Sequence, residues 1–142
     1  MASPPKKKRK RRGRYKTGIH TSQKVVGGSL KYRSGWEDQA ATYLDHDPTV
    51  VSYAYEAIAI PYVSNLSTGK IRHYYPDFLV TYTDGSRQLI EVKRGDRISQ
   101  VKVMKKSQAG RDWCVRNGVE FVIWADAKIK AITLINERLG KH

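Results

Sequence analysis

In the stretch Leu89-Ile90-Glu91-Val92-Lys93, a carboxylate and an ammonium group stand two residues apart inside an otherwise apolar run. Leu, Ile and Val around them mark a buried strand, and period-two alternation sends Glu91 and Lys93 to one face of it. Unpaired charge is expensive to bury, so charges persist in such a place when a metal ion or a phosphate compensates them. Upstream lies Pro76-Asp77-Phe78-Leu79-Val80, and between the two segments stands Asp84-Gly85, a strong hairpin signal. The expectation is therefore a hairpin: Ile71 to Thr83 as one long strand, with Pro76 tolerated at an edge or bulge, and Arg87 to Lys93 returning.

The length of the turn decides which side chains meet. A two-residue Asp84-Gly85 loop pairs Thr83 with Ser86, sets Asp77 opposite Val92 and turns it away from Glu91. A loop centred on Gly85 pairs Thr83 with Arg87 and Asp77 with Lys93, which puts Asp77, Glu91 and Lys93 on one face. An odd-length loop, or a bulge with the same effect, is thus the condition for the three groups to act together.

The rest of the chain supplies a domain around this hairpin. Ser34 reads as an N-cap with Glu37 three residues later, and Trp36, Ala40, Tyr43 and Leu44 share one face of the helix that follows. Pro48 ends it by disfavouring helical geometry at Asp47. Val50 to Tyr55 and Ala57 to Val63 are β-rich and flank Glu56, and Asn65 to Gly69 reads as a turn. A helical pattern covers Ile98 to Asn117, interrupted in composition by Gly110, with Gly118 as its C-cap. Val119 to Trp124 reads as a short buried strand and Ala127 to Leu139 as an amphipathic helix. The order defines an α/β fold with a mixed sheet flanked by helices.

At 142 residues the chain is about one domain. Its 27 Lys and Arg against 13 Asp and Glu leave a formal charge of +14. Residues 1–16 hold nine of those cations and no acid, leaving about +5 for the remaining residues. Residues 1–29 are expected to be a disordered basic arm and linker, with the folded domain over 30–142. Such a field favours a polyanion, because each neutralised phosphate releases condensed counterion. Arg11 and Arg12 are candidate phosphate contacts in the arm, and DNA is the expected partner. No apolar stretch is long enough to suggest a membrane span. The expected location is the cytoplasm, or the nucleus if the run Pro4 to Lys10 acts as a localisation signal. The lone Cys114 reads as a small buried apolar residue.

Two convergent carboxylates with room for water suit hard Mg²⁺, with Mn²⁺ as a substitute. Lys93 beside them would orient or deprotonate an attacking water, or stabilise developing negative charge. Several other groups fall near this centre by counting. By period-two counting His73 shares a strand face with Asp77, which makes it a candidate phosphate contact. Glu56 is a further acidic candidate, and Lys102, Lys105 and Lys106 form a basic cluster able to track a nucleic-acid backbone.

Taken together, Tyr32-Arg33-Ser34-Gly35-Trp36-Glu37, Tyr43-Leu44, Pro48-Thr49-Val50, Ile60-Pro61-Tyr62, Pro76-Asp77-Phe78 and Leu89-Ile90-Glu91-Val92-Lys93 resemble the TnsA-like nucleases of the PD-(D/E)XK type. That domain occurs in transposon end-cleaving endonucleases and in small phage nucleases of the head-completion kind. The resemblance covers roughly residues 30–125. It implies a restriction-endonuclease-like core in αβββαβ order and Mg²⁺-dependent hydrolysis of DNA phosphodiester bonds. It further implies Glu37, Asp77, Glu91 and Lys93 as catalytic residues, with Asp77, Glu91 and Glu37 as metal ligands. Glu91 stands where transposon members can carry Gln. A homodimer, or a virion or transposition partner, is the corresponding expectation for assembly. Phage DNA processing, packaging or head completion is the expected setting, and the alternatives are a DNA-binding or virion structural protein of the same fold without chemistry, or a transposon end-cleaving nuclease subunit.

Overall fold

The computed structural model describes residues 16–140. The central sheet runs in the order β3 (Val50–Tyr55), β6 (Phe78–Tyr82), β7 (Arg87–Val92) and β8 (Glu120–Trp124). Its first three strands are antiparallel neighbours, while β7 and β8 are parallel. A parallel pair needs a crossover, and α2 (Val101–Asn117) supplies it. Helices α1 (Gly35–His46) and α3 (Asp126–Gly140) cover one face together. Phe78, Val80, Ile90 and Val92 point into that side with Tyr53, Leu44 and Ile132. Alternation sends Leu79 and Leu89 to the other face, where α2 and a separate ribbon of β4 (Ile60–Asn65) and β5 (Lys70–Tyr74) pack. Helix, three sheet strands, helix and strand follow in the expected order, and the fold is restriction-endonuclease-like.

Local chemistry accounts for most boundaries. Ser34 Oγ accepts from the Glu37 N–H, capping α1, and the helix stops at His46 ahead of Pro48. Gly118 caps α2 at φ 66°, in the left-handed region that glycine adopts without strain. Gly110 does not interrupt α2: it lies where the helix meets the sheet, and a Cβ there would come within 2.7 Å of the Phe121 ring and 3.2 Å of Tyr74. Gly110→Val is expected to destabilise the fold by about 1–3 kcal/mol through overpacking, measured by denaturant unfolding.

Two expectations are corrected. The long strand Ile71–Thr83 is broken at Tyr75-Pro76-Asp77 into β5 and β6, which belong to different sheets. Pro76 has no N–H to give to a ladder, and at this point the chain leaves the ribbon for the central sheet. Residues 18–29 are not a linker. Strands β1 (Gly18–Thr21) and β2 (Ser29–Tyr32) form a hairpin, and Val25 and Leu30 join the core at 4% and 6% exposure. His20 fastens it to α1, with Nδ1 3.0 Å from Asp38 Oδ1 and Nε2 2.6 Å from Asp45 Oδ2. Ser22 Oγ and the Tyr53 hydroxyl donate to Asp45 Oδ1 at 2.6 and 2.7 Å. The Gly/Ser/Thr-rich composition gives no sign of a segment held by these partly buried polar contacts. Arg11 and Arg12, and the rest of the basic run before residue 16, lie outside the described residues. No helix among the described residues is long and apolar enough to cross a membrane.

Candidate active site

The hairpin turn has odd length. Tyr82 N–H donates to Ser86 O at 2.9 Å, and Thr83-Asp84-Gly85 form the loop between them. Gly85 takes φ 87° and its N–H reaches Tyr82 O, while the Asp84 carboxylate accepts from Ser86 N–H and Oγ. The loop is centred on Asp84 rather than Gly85, so Phe78 faces Ile90 and Leu79 faces Leu89. Continued by one residue, this register sets Asp77 across from Glu91 instead of Lys93. The parity is the same, and Asp77, Glu91 and Lys93 fall on the α2 side of the sheet end.

Backbone contacts lock these positions. Val92 N–H donates to Asp77 Oδ2 at 2.7 Å, and Glu56 N–H donates to Asp77 O at 2.9 Å. Lys93 N–H continues the parallel ladder onto Trp124 O at 3.1 Å. Lys93 Nζ lies 3.5 Å from Glu91 Oε2, while Glu91 Oε1 accepts from the buried Tyr74 hydroxyl at 2.8 Å. Asp77 and Glu91 are 5% and 7% exposed. Burial, then the charges of Glu91 and Glu37, hold the Asp77 carboxyl well above the usual range. Glu91 is raised by burial too, against the opposing pull of Lys93 and of the Tyr74 hydroxyl. Lys93 lies against Glu91 rather than Asp77, so among the described residues burial of Asp77 is opposed chiefly by the Val92 N–H bond.

Two buried like charges beside one ammonium leave net negative charge, and the donors are hard oxygens. Asp77 and Glu91 therefore fit a divalent cation such as Mg²⁺ or Mn²⁺. The expected set of three carboxylates is not gathered: no cluster of three His, Cys, Asp or Glu able to hold a metal occurs among the described residues. Glu37 Oε1 accepts from Arg33 N–H at 2.8 Å and from the Tyr55 hydroxyl at 2.5 Å, which holds the carboxylate back. Its charge still reaches Asp77.

The remaining candidates separate. His73 stands across from Pro61 on the exposed side of the ribbon, because the break at Pro76 ends the period-two relation to Asp77. Its neighbour Tyr74 turns to the site instead. Glu56 has φ 48° and an ion pair with Arg33, and what it gives the site is the backbone bond to Asp77. Lys102, Lys105 and Lys106 lie on the first turns of α2, facing the ribbon across a groove. Cys114 is buried, its thiol pushed up to about 11 by that burial. Tyr74 is a site residue that alternation alone could not orient. Tyr74→Phe should lower kcat/KM for cleavage by about tenfold, since a donor to a buried charge contributes about 1.5–3 kcal/mol. The acid limb of its pH–rate profile should move to higher pH, because the lost bond is one that lowers the Glu91 pKa.

A buried acidic pair and a lysine at the open end of a restriction-endonuclease-like hairpin define a nuclease. The chain belongs to the TnsA-like endonuclease N-terminal family, whose model matches residues 47–126, more than half of the chain. That segment holds Asp77, Glu91 and Lys93, and Glu37 precedes it. The chain is also 34% identical over 64 residues to the head completion nuclease of Enterobacteria phage T4. The aligned stretch is 45% of this chain and 42% of that relative, so less than half of the relative's length is matched.

Proposed function

We propose that the protein is a Mg²⁺-dependent DNA endonuclease that hydrolyses phosphodiester bonds during phage DNA processing or head completion. The observation that carries this reading is the pairing of buried Asp77 and Glu91 with Lys93 at the end of β6 and β7. A pure binder gains nothing from carboxylates turned toward phosphate. The phage setting rests on similarity to the head completion nuclease.

In this reading Asp77 and Glu91 hold the cation, and Glu37 supports them through its charge. A divalent ion held there would supply Lewis-acid chemistry, activating water and offsetting charge on phosphorus. Val92 N–H fixes Asp77 Oδ2, and Tyr74 and Lys93 orient the two oxygens of Glu91. An ammonium has three donors, and Lys93 gives one side to Glu91, leaving N–H groups to orient the attacking water or bind the phosphoryl oxygens. Water adds to phosphorus as the P–O bond to the leaving sugar oxygen breaks; the water's proton passes to the site or to solvent, and the departing oxygen takes up a proton from solvent to leave as a hydroxyl on the released strand.

The test is cleavage of plasmid DNA by the purified chain in Mg²⁺, in Mn²⁺ and in EDTA, beside Glu91→Gln. Divalent-dependent cleavage that is lost in the variant, with DNA binding retained, is the expected outcome. Binding without cleavage of plasmid, linear or branched DNA in either metal would leave only a DNA-binding role.

A further inference from the structure

Between the β4–β5 ribbon and the first turns of α2 runs a groove of about 640 Å³. Its walls carry Lys70 and Arg72 from the ribbon and Lys102, Lys105 and Lys106 from the helix, with Tyr62 among them. None of these five cations forms an ion pair among the described residues. Concentrated positive charge without acids is unfavourable unless an anion enters. The groove also adjoins the acidic centre: Lys70 and Arg72 stand on β5, the strand that ends at Tyr74, whose hydroxyl donates to Glu91 Oε1 at 2.8 Å.

The width of the gap limits what can enter. Lys105 Nζ donates to Ser64 O at 3.0 Å, so a single lysine side chain reaches from the helix to the ribbon. Where Lys105 spans it, the gap is one side chain wide, too narrow for a duplex to enter at that point. A volume of this size matches a compact ligand, about one or two nucleotides. Cations tracking a backbone, with an aromatic ring beside them, are the pattern that proteins use for unpaired strands.

We propose that this groove takes one unpaired DNA strand and leads it to or from the Asp77–Glu91–Lys93 centre. The preferred substrate is then DNA with a single-stranded extension or branch. This deepens the nuclease reading and rests on it for the direction of the strand. Occupancy of the groove can be measured without catalysis.

The experiment uses the full chain in EDTA at physiological salt, with three labelled probes of one sequence: a single strand, a duplex with an overhang, and a blunt duplex. Lys70→Gln/Arg72→Gln/Lys102→Gln removes three exposed charges. We expect this variant to bind the single strand and the overhang at least about tenfold more weakly, and the blunt duplex within about threefold of the parent. The salt slope for the single strand should fall by about two. Lys31→Gln/Lys130→Gln/Arg138→Gln removes as much charge elsewhere and should not discriminate among the probes. Lys102→Gln alone serves if the triple variant does not fold, with a smaller loss of the same selectivity. Equal loss on all three probes, or no loss on the single strand, overturns the proposal. Cleavage in Mg²⁺ is scored separately. A parent that binds the single strand selectively yet never cuts sinks the nuclease reading and leaves the groove intact.

Discussion

Asp77→Asn is expected to abolish cleavage and, in metal-free buffer, to make the protein more stable. The two effects have one origin. Asp77 is nearly inaccessible, faces Glu91, and senses Glu37, so ionising it works against burial and two like charges. Asparagine keeps the shape, and its carbonyl oxygen can still accept the Val92 N–H bond. What it loses is the negative charge for which a divalent ion would bind. Losing several kcal/mol of transition-state stabilisation corresponds to about 10³-fold or more in rate. Each pK unit by which the native state raises the carboxyl corresponds to about 1.4 kcal/mol. Relief of about 1 kcal/mol would raise Tm by about 4 °C in a domain of this size.

The linkage runs in the same direction. A folded-state pKa above the unfolded value means that the native state binds the proton more tightly. The contribution of Asp77 to stability is then fully present below its unfolded pKa and is lost as pH rises through the folded pKa. Metal-free parent should therefore unfold more readily at neutral pH than at mildly acidic pH, and Asp77→Asn should flatten that dependence. Denaturant melts across pH in EDTA measure it. A variant that is less stable than the parent at neutral pH would contradict the uncompensated charge assigned to this site.

Features set by neighbours in sequence were readable, and features set by distant contacts were not. Ser34 with Glu37 and Gly118 after α2 each depend on atoms a few residues apart, whereas the odd parity of the Asp84-Gly85 turn follows only from requiring Asp77, Glu91 and Lys93 to share a face. The charged pair Glu91–Lys93 was visible because charge within an apolar strand needs a partner. The break at Pro76 was ambiguous, since the same alternation suits one long strand or two strands in different sheets. Only the packing of Ile60 and Tyr74 with Leu89 and Cys114 separates the ribbon from the central sheet. That separation places Tyr74 on Glu91 and takes His73 away. The β1–β2 hairpin is illegible for a similar reason: His20 is paired with Asp38 and Asp45 of α1, and nothing local signals it. Glu37 stands on the first helix, as its place three residues after Ser34 predicts, yet its bonds to Arg33 N–H and Tyr55 depend on how β3 meets α1.

Lys93→Met should also eliminate activity, by about 10²–10³-fold, the loss typical of removing one group that stabilises transition-state charge. Its effect on stability should have the opposite sign to that of Asp77→Asn. Methionine preserves the length of the side chain but leaves Glu91 buried without the cation that lies 3.5 Å from Oε2. Breaking a fully buried pair costs about 3–5 kcal/mol, and since Lys93 is 28% exposed on its side chain the loss should be smaller, about 1–2 kcal/mol at neutral pH. Lys93 lowers the Glu91 pKa, so without it Glu91 ionises at higher pH. Any residual cleavage should accordingly show an acid limb displaced to higher pH. DNA binding in EDTA should change little, because one phosphate contact among many is removed. Lys93→Arg keeps the charge and should restore the stability, but its planar fork presents donors in a different geometry, so cleavage should recover only partly. If Lys93→Met retained full activity while Asp77→Asn lost it, Lys93 would be a structural counter-ion to Glu91. The attacking water would then be oriented by groups other than this lysine.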